Sequence, residues 1–123
     1  MEPELLFIKN KKLTEKQTFE FYINIGYNPT ETLLKMGFIF NTSYEQLCSC
    51  ISILNEGWYP NWENEAEYKY WNWFKMKGGF SFWDTIYFHS TFTHVPSALC
   101  LKDEETANLA KHILLELYEK VYL

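Results

Sequence analysis

The feature that most constrains this chain is the run Tyr68-Lys69-Tyr70-Trp71-Asn72-Trp73-Phe74, with Gly78-Gly79 and then Phe80-Ser81-Phe82-Trp83 after it. Side chains of an extended strand alternate between two faces. Tyr68, Tyr70 and Phe74 therefore fall on one side, and Trp71 and Trp73 on the other. A Gly-Gly pair between two such runs is a hairpin signal. An aromatic hairpin of this kind must bury at least one face, so the rest of the chain has to supply a cover. The second aromatic face is either covered too, as part of a thick core, or kept as a binding platform.

The flanking sequence supplies the cover. Thr14-Glu15-Lys16-Gln17 reads as a capping box that opens a helix. The following Phe19-Glu20-Phe21-Tyr22-Ile23-Asn24-Ile25 alternates like a strand instead, and the cap tips the reading to a helix closed by Gly26. Asn28-Pro29-Thr30-Glu31 opens a short helix with proline at its first position, ended by Gly37. Ser43-Tyr44-Glu45-Gln46 reads as a second capping box, with Leu47, Ile51 and Leu54 at helical spacing and Gly57 as the stop. Trp58 to Glu67, with Pro60 and an Asn/Glu cluster, is a loop. Beyond the hairpin, Thr85 to Phe92 is predicted as a third strand and Ser97 to Leu101 as a fourth, after a turn at Pro96. Asp103 caps a closing helix with Ala107, Ala110, Ile113 or Leu114, Leu117 and Val121 on its buried stripe. Helices, an antiparallel meander of about four strands and one closing helix make an α+β fold. The 123 residues fit a single domain spanning 1–123.

Composition excludes some function classes. The net charge is −5, and all eleven cations are lysine, with no arginine. Duplex nucleic acid and anionic membranes both demand clustered cations, and arginine supplies the bidentate fork for phosphate. Neither partner is expected. Nor is a membrane span: no apolar run approaches the ~18 residues it needs. The start of the chain, with Glu2 and Glu4, does not read as a signal peptide. Three cysteines, Cys48, Cys50 and Cys100, are an odd count that reads as reduced thiols in a cytoplasmic protein.

Chemistry-bearing motifs are sparse. His89-Ser90-Thr91 with His94 invites comparison with two-histidine phosphoesterases, but those need two such elements, and a five-residue offset puts the two rings on opposite strand faces. Cys48 and Cys50 lie about 200° apart on a helix and cannot grip one metal ion together. Glu56, Glu63, Glu65 and Glu67, near Asp84, read as a solvated acidic loop rather than an acid/base pair. No cofactor and no metal site is expected, and an enzyme is the less favoured reading. The residues singled out for binding are Trp71, Trp73 and Trp83, with Lys75 and Lys77 beside them and Trp58 and Trp62 in the preceding loop. Flat indole rings suit protein hot spots, sugar rings or nucleobases.

The stretch Asn55-Glu56-Gly57-Trp58-Tyr59-Pro60-Asn61-Trp62, the later Tyr68-Lys69-Tyr70-Trp71-Asn72-Trp73-Phe74, and Ser97-Ala98-Leu99-Cys100-Leu101-Lys102 before the final helix resemble a family of small uncharacterised phage and prophage proteins of the Bacteroidota. The resemblance covers roughly residues 54–122. Ala98 departs from it, standing where arginine is usual, as does Asn72, where proline is usual. It implies a phage or mobile-element origin, hence a host-cell setting, and carries no activity with it. Three expectations follow: a non-catalytic accessory protein that binds a host or phage protein or itself through the aromatic sheet; a counter-defence protein that sequesters a nucleotide; or a small hydrolase using His89 and His94.

Overall fold

The cap at Thr14 decides the first conflict in favour of the helix. In the computed structural model, which describes residues 12–76, 78–88 and 96–122, Thr14 Oγ1 accepts from the Gln17 amide at 3.1 Å and Gln17 Oε1 accepts from the Thr14 amide at 2.9 Å. Helix α1 (Glu15–Asn24) follows and buries Phe19 and Tyr22, one turn apart, leaving Ile25 half exposed at the exit. The strand-like alternation is overruled because a helix needs only every third or fourth residue inside. Helix α2 (Pro29–Lys35) has the expected Asn28–Glu31 box and buries Thr32 and Leu33.

Helix α3 (Ser43–Leu54) is the central element, burying Leu47, Cys50, Ile51, Ile53 and Leu54. Its cap is Thr42, one residue earlier than expected: Thr42 Oγ1 accepts from the Glu45 amide at 3.1 Å. The Glu45 side chain reaches back to the Asn41 amide at 2.8 Å. At the other end Glu56 and Gly57 both adopt positive φ, 53° and 84°. Glycine takes the second of these without cost.

The architecture is α+β, and among the described residues there are fewer strands than the four-strand meander expected. Strand β1 (Lys69–Lys75) pairs antiparallel with β2 (Ser81–Phe88), Tyr70 opposite Tyr87 and Asn72 opposite Thr85. Phe80 to Trp83 and the run from Thr85 are not separate strands. The register shifts between Trp73 and Phe74, so a bulge absorbs one residue at Trp83 while β2 continues. Asp84, a turn former by type, spends its carboxylate on the Thr85 amide at 2.8 Å and stays in the strand. Residues 89–92 of the predicted third strand lie outside the described residues.

Nor is Ser97 to Leu101 a full strand. Ser97–Leu99 form a 3₁₀ turn, held by Leu99 N–H to Pro96 C=O at 2.9 Å. Only Leu101 joins the sheet, exchanging both backbone bonds with Tyr70 at 2.8 and 3.0 Å. Local hydrogen bonds after the proline satisfy the short segment before it can extend.

The closing helix is two segments, α4 (Glu104–Ile113) and α5 (Leu115–Tyr122), meeting at Leu114. Helical bonds run through the junction, Leu114 N–H to Ala110 and Tyr118 N–H to Leu114, both 2.8 Å. Asp103 is the cap, as expected, its Oδ1 accepting from the Thr106 amide at 2.7 Å. The buried stripe is Thr106, Ala107, Ala110, Leu114, Leu117 and Tyr118, with Ile113 and Val121 only partly buried. These helices cover the Tyr70, Asn72 and Phe74 face of the hairpin. Phe74 lies 4.6 Å from the Tyr118 ring and 4.8 Å from that of Phe80, centroid to centroid.

Candidate functional site

Residues 55–62, the start of strand β1 and residues 97–102 meet at one corner of the fold. Asn55, buried at the end of α3, donates from Nδ2 to the Cys100 carbonyl at 2.9 Å and accepts from the Lys102 amide at 3.1 Å. Trp62 donates from Nε1 to Ser97 Oγ at 2.7 Å. Its ring lies 5.2 Å from the Lys69 ammonium, which is wholly buried. That ammonium is wrapped by the carbonyls of Asn64 and Glu67 at 3.3 and 3.2 Å and by Glu67 Oε1 at 3.3 Å. A buried lysine is tolerable only with such company. Trp58 and Trp62 are thus packed against the core as partly buried residues that hold the loop over the base of β1.

Further along β1 the outer side opens. Trp71 is partly buried, whereas Trp73 is 51% exposed, with Met76 at 45% and Tyr122 at 36%. The two indole rings stack at 6.4 Å with 23° between their planes. A groove of about 180 Å³ is lined by Trp71, Asn72, Trp73, Phe74, Met76 and Tyr122. Four consecutive strand residues point to both faces, so they can line one groove only where it runs along the strand's edge. The backbone agrees. Tyr70 turns its N–H and C=O away from β2, toward Leu101. By alternation Asn72 and Phe74 turn theirs the same way, and past Leu101 no described residue pairs with them.

Side-chain chemistry at this edge is apolar with few polar outlets. Trp71 Nε1 is buried without a partner at hydrogen-bonding distance. Burial raises the Tyr122 hydroxyl pKa, an effect the Trp71 indole N–H partly offsets. Burial also raises that of Tyr118, offset in part by the Asn72 amide. Lys75 is exposed on the Trp73 side of the strand. Trp83 sits in β2 at the bulge. Lys77, His89 and His94 lie outside the described residues, as does the Trp83 side chain.

The remaining candidates disperse. Cys50 and Cys100 are buried, and burial pushes their thiols up to about 12 and about 11. Cys48 lines a small cleft of about 80 Å³ with Trp58, Tyr59 and Ala98. Among the described residues no cluster of three or more His, Cys, Asp or Glu could hold a metal ion. The acidic loop residues do not converge on one centre: Glu56 pairs with Lys102 and Lys16, Glu67 with Lys69. No described helix is long and apolar enough to cross a membrane.

Sequence reasoning placed Trp71 and Trp73 together and missed Met76 and Tyr122, because the groove depends on which edge of β1 lacks a neighbour. Comparison of the chain with family models, with curated proteins and with solved structures finds no match.

Proposed function

We propose that this is a non-catalytic accessory protein of a phage or mobile element that acts by binding, and that a second copy of the chain docks along the β1 edge. The observation that carries this reading is the apolar groove beside the Asn72–Phe74 backbone, with Trp73 half exposed on its rim. A strand edge of this kind is a template for another strand. Docked antiparallel about a two-fold axis, each edge donor meets the copy's acceptor by symmetry. Two registers engage both Asn72 and Phe74. One sets Lys75 opposite Trp73 of the copy, the other opposite Trp71, so Lys75 meets an indole in both. Cation–π contact favours both. The family that the chain resembles has proline where Asn72 stands, and proline would remove an edge donor; asparagine keeps it.

The test is the molar mass in solution, by light scattering behind a sizing column, of wild type and Trp73→Lys. Trp73 is half exposed, so the variant is expected to keep the fold, which thermal melting checks. It places lysine opposite lysine in either register. Wild type should run as a dimer and the variant as a monomer. A wild-type monomer at high micromolar concentration would overturn the reading. So would a variant that stays dimeric. A monomer stabilised by a nucleotide, with the effect abolished in Trp73→Lys, would instead support the sequestration reading.

A further inference from the structure

The opposite face of the hairpin carries a second feature that the dimer reading does not use. Tyr68, Tyr70 and Tyr87 share the face that packs on α4, because Tyr70 pairs with Tyr87 and Tyr68 lies two residues before Tyr70. The helix covers only part of that face. Asn72 grips the Ala107 carbonyl at 2.9 Å, but α4 begins at Glu104, so the sheet overhangs its start. The overhang is a cleft of about 270 Å³ lined by Tyr68, Tyr70, Thr85, Tyr87 and Glu104. That is slightly below the ~300–1,000 Å³ of clefts for drug-sized ligands, a scale that suits a small head group.

Its walls are aromatic and its charge is negative. Tyr68 and Tyr87 are 52% and 61% exposed, a large apolar area for a chain to leave in water. The Tyr87 ring lies 5.2 Å from that of Tyr68 and 6.2 Å from that of Tyr70, tilted by 59° and 46°, so the three form an angled wall and not a stack. Glu104 stands on the rim with Glu105 next to it in sequence, both exposed. Lys102 is turned away, donating to Glu56 Oε1 at 2.9 Å. The Lys69 side chain is buried on the other face of β1.

Angled aromatic rings beside a carboxylate recognise a bulky, weakly hydrated cation. The ring faces attract its charge, and its methyl groups bury apolar surface that an ordinary ammonium, tightly hydrated, does not offer. We propose that this cleft binds a quaternary ammonium group, as in choline or a trimethylated lysine. The site lies apart from the β1 edge and stands whether or not the protein dimerises.

Nuclear magnetic resonance titration of the whole chain tests it, with choline and N-trimethyl-lysine amide as the two sources of the cation. 3,3-Dimethylbutan-1-ol serves as the neutral isostere of choline. Choline-type cations should saturate shifts at the Tyr68, Tyr70 and Tyr87 resonances, and the isostere should bind at least about tenfold more weakly. Tyr87→Ala should lose about tenfold and Glu104→Gln a few-fold. Both residues are exposed, so both variants should keep the wild-type melting temperature. Whichever cation binds more tightly identifies the source. No saturable shift with either cation would overturn the proposal, as would equal binding of the neutral isostere or unchanged affinity in Tyr87→Ala.

Discussion

Asn72 is the polar residue on which the packing of hairpin against helices depends, and replacing it by alanine gives a definite expectation. The side chain is fully buried. Its Nδ2 donates to the Ala107 carbonyl at 2.9 Å, and its Oδ1 accepts from Thr85 Oγ1 at 2.9 Å. Asn72→Ala removes both bonds, strands the buried amide's partners and leaves a void between β1 and α4. Two buried hydrogen bonds at roughly 1 kcal/mol each, with a further contribution from the void, come to about 3 kcal/mol. A chain of this length has an unfolding entropy of about 0.26 kcal/mol/K near its midpoint, so the melting temperature should fall by about 12 °C. Differential scanning calorimetry reads both quantities. A fall of less than about 3 °C would refute the argument, because it would mean that water replaces the amide at little cost. Asn72→Asp sharpens the test. The new carboxyl faces the Ala107 carbonyl in a buried site, and both influences raise its folded pKa above the unfolded value of about 3.9. A raised acid is tolerated while protonated, below the unfolded value, and loses stability as pH rises through its folded value. The deficit relative to wild type should therefore widen from pH 4 to pH 7. A deficit independent of pH would sink this part of the reasoning.

Two further outcomes follow from the charges and thiols. Burial pushes Cys50 up to about 12 and Cys100 up to about 11, and burial likewise raises Cys48, against a lowering contribution from its hydrogen bond with Tyr44. Since only thiolates are nucleophilic, iodoacetamide at pH 8 should modify native Cys50 and Cys100 only at the rate of unfolding; fast labelling of either, read by mass spectrometry, would contradict their burial. The Glu56 carboxylate is held below its ordinary value by the Lys102 hydrogen bond and charge, with Lys16 adding to both. The stabilisation from these pairs is present above the unfolded pKa and is lost as pH falls through the folded one; Lys102→Met should return Glu56 toward the usual glutamate range in a carboxyl titration.

How much of this was legible in the sequence depended on whether the deciding interaction was local. Thr14 with Gln17 and Asp103 with Thr106 are three residues apart, and a cap read from the chain is a cap in the fold. At Thr42 the same logic slipped by one position, because Thr42 and Ser43 are equivalent by type and only the chain's entry angle chooses between them. The strand count depended on more distant partners. Asp84 reads as a break, yet a bulge across from Trp73 keeps it in β2; Ser97 to Leu101 reads as a strand, yet only Leu101 finds a neighbour. For the candidate site, alternation correctly divided Tyr68, Tyr70 and Phe74 from Trp71 and Trp73. It did not reveal that Trp62 lies over a buried ammonium, or that α4 starts too late to cover Tyr68 and Tyr87.

The corner where Asn55, Tyr70 and Leu101 converge also bears on how the chain folds. The β1–β2 hairpin and each helix close over short separations, which cost little chain entropy. The Asn55 tethers to Cys100 and Lys102 span 45 and 47 residues, and loop closure grows costlier with length. Contacts of that separation weigh most heavily on folding rate. Residues 96–102 therefore act as a latch: beyond the local bonds of the 3₁₀ turn their partners lie on α3 and on the hairpin, so the full set closes only when those two stand beside each other. The segment that looks least regular in the finished fold is the one that reports whether its two halves have met.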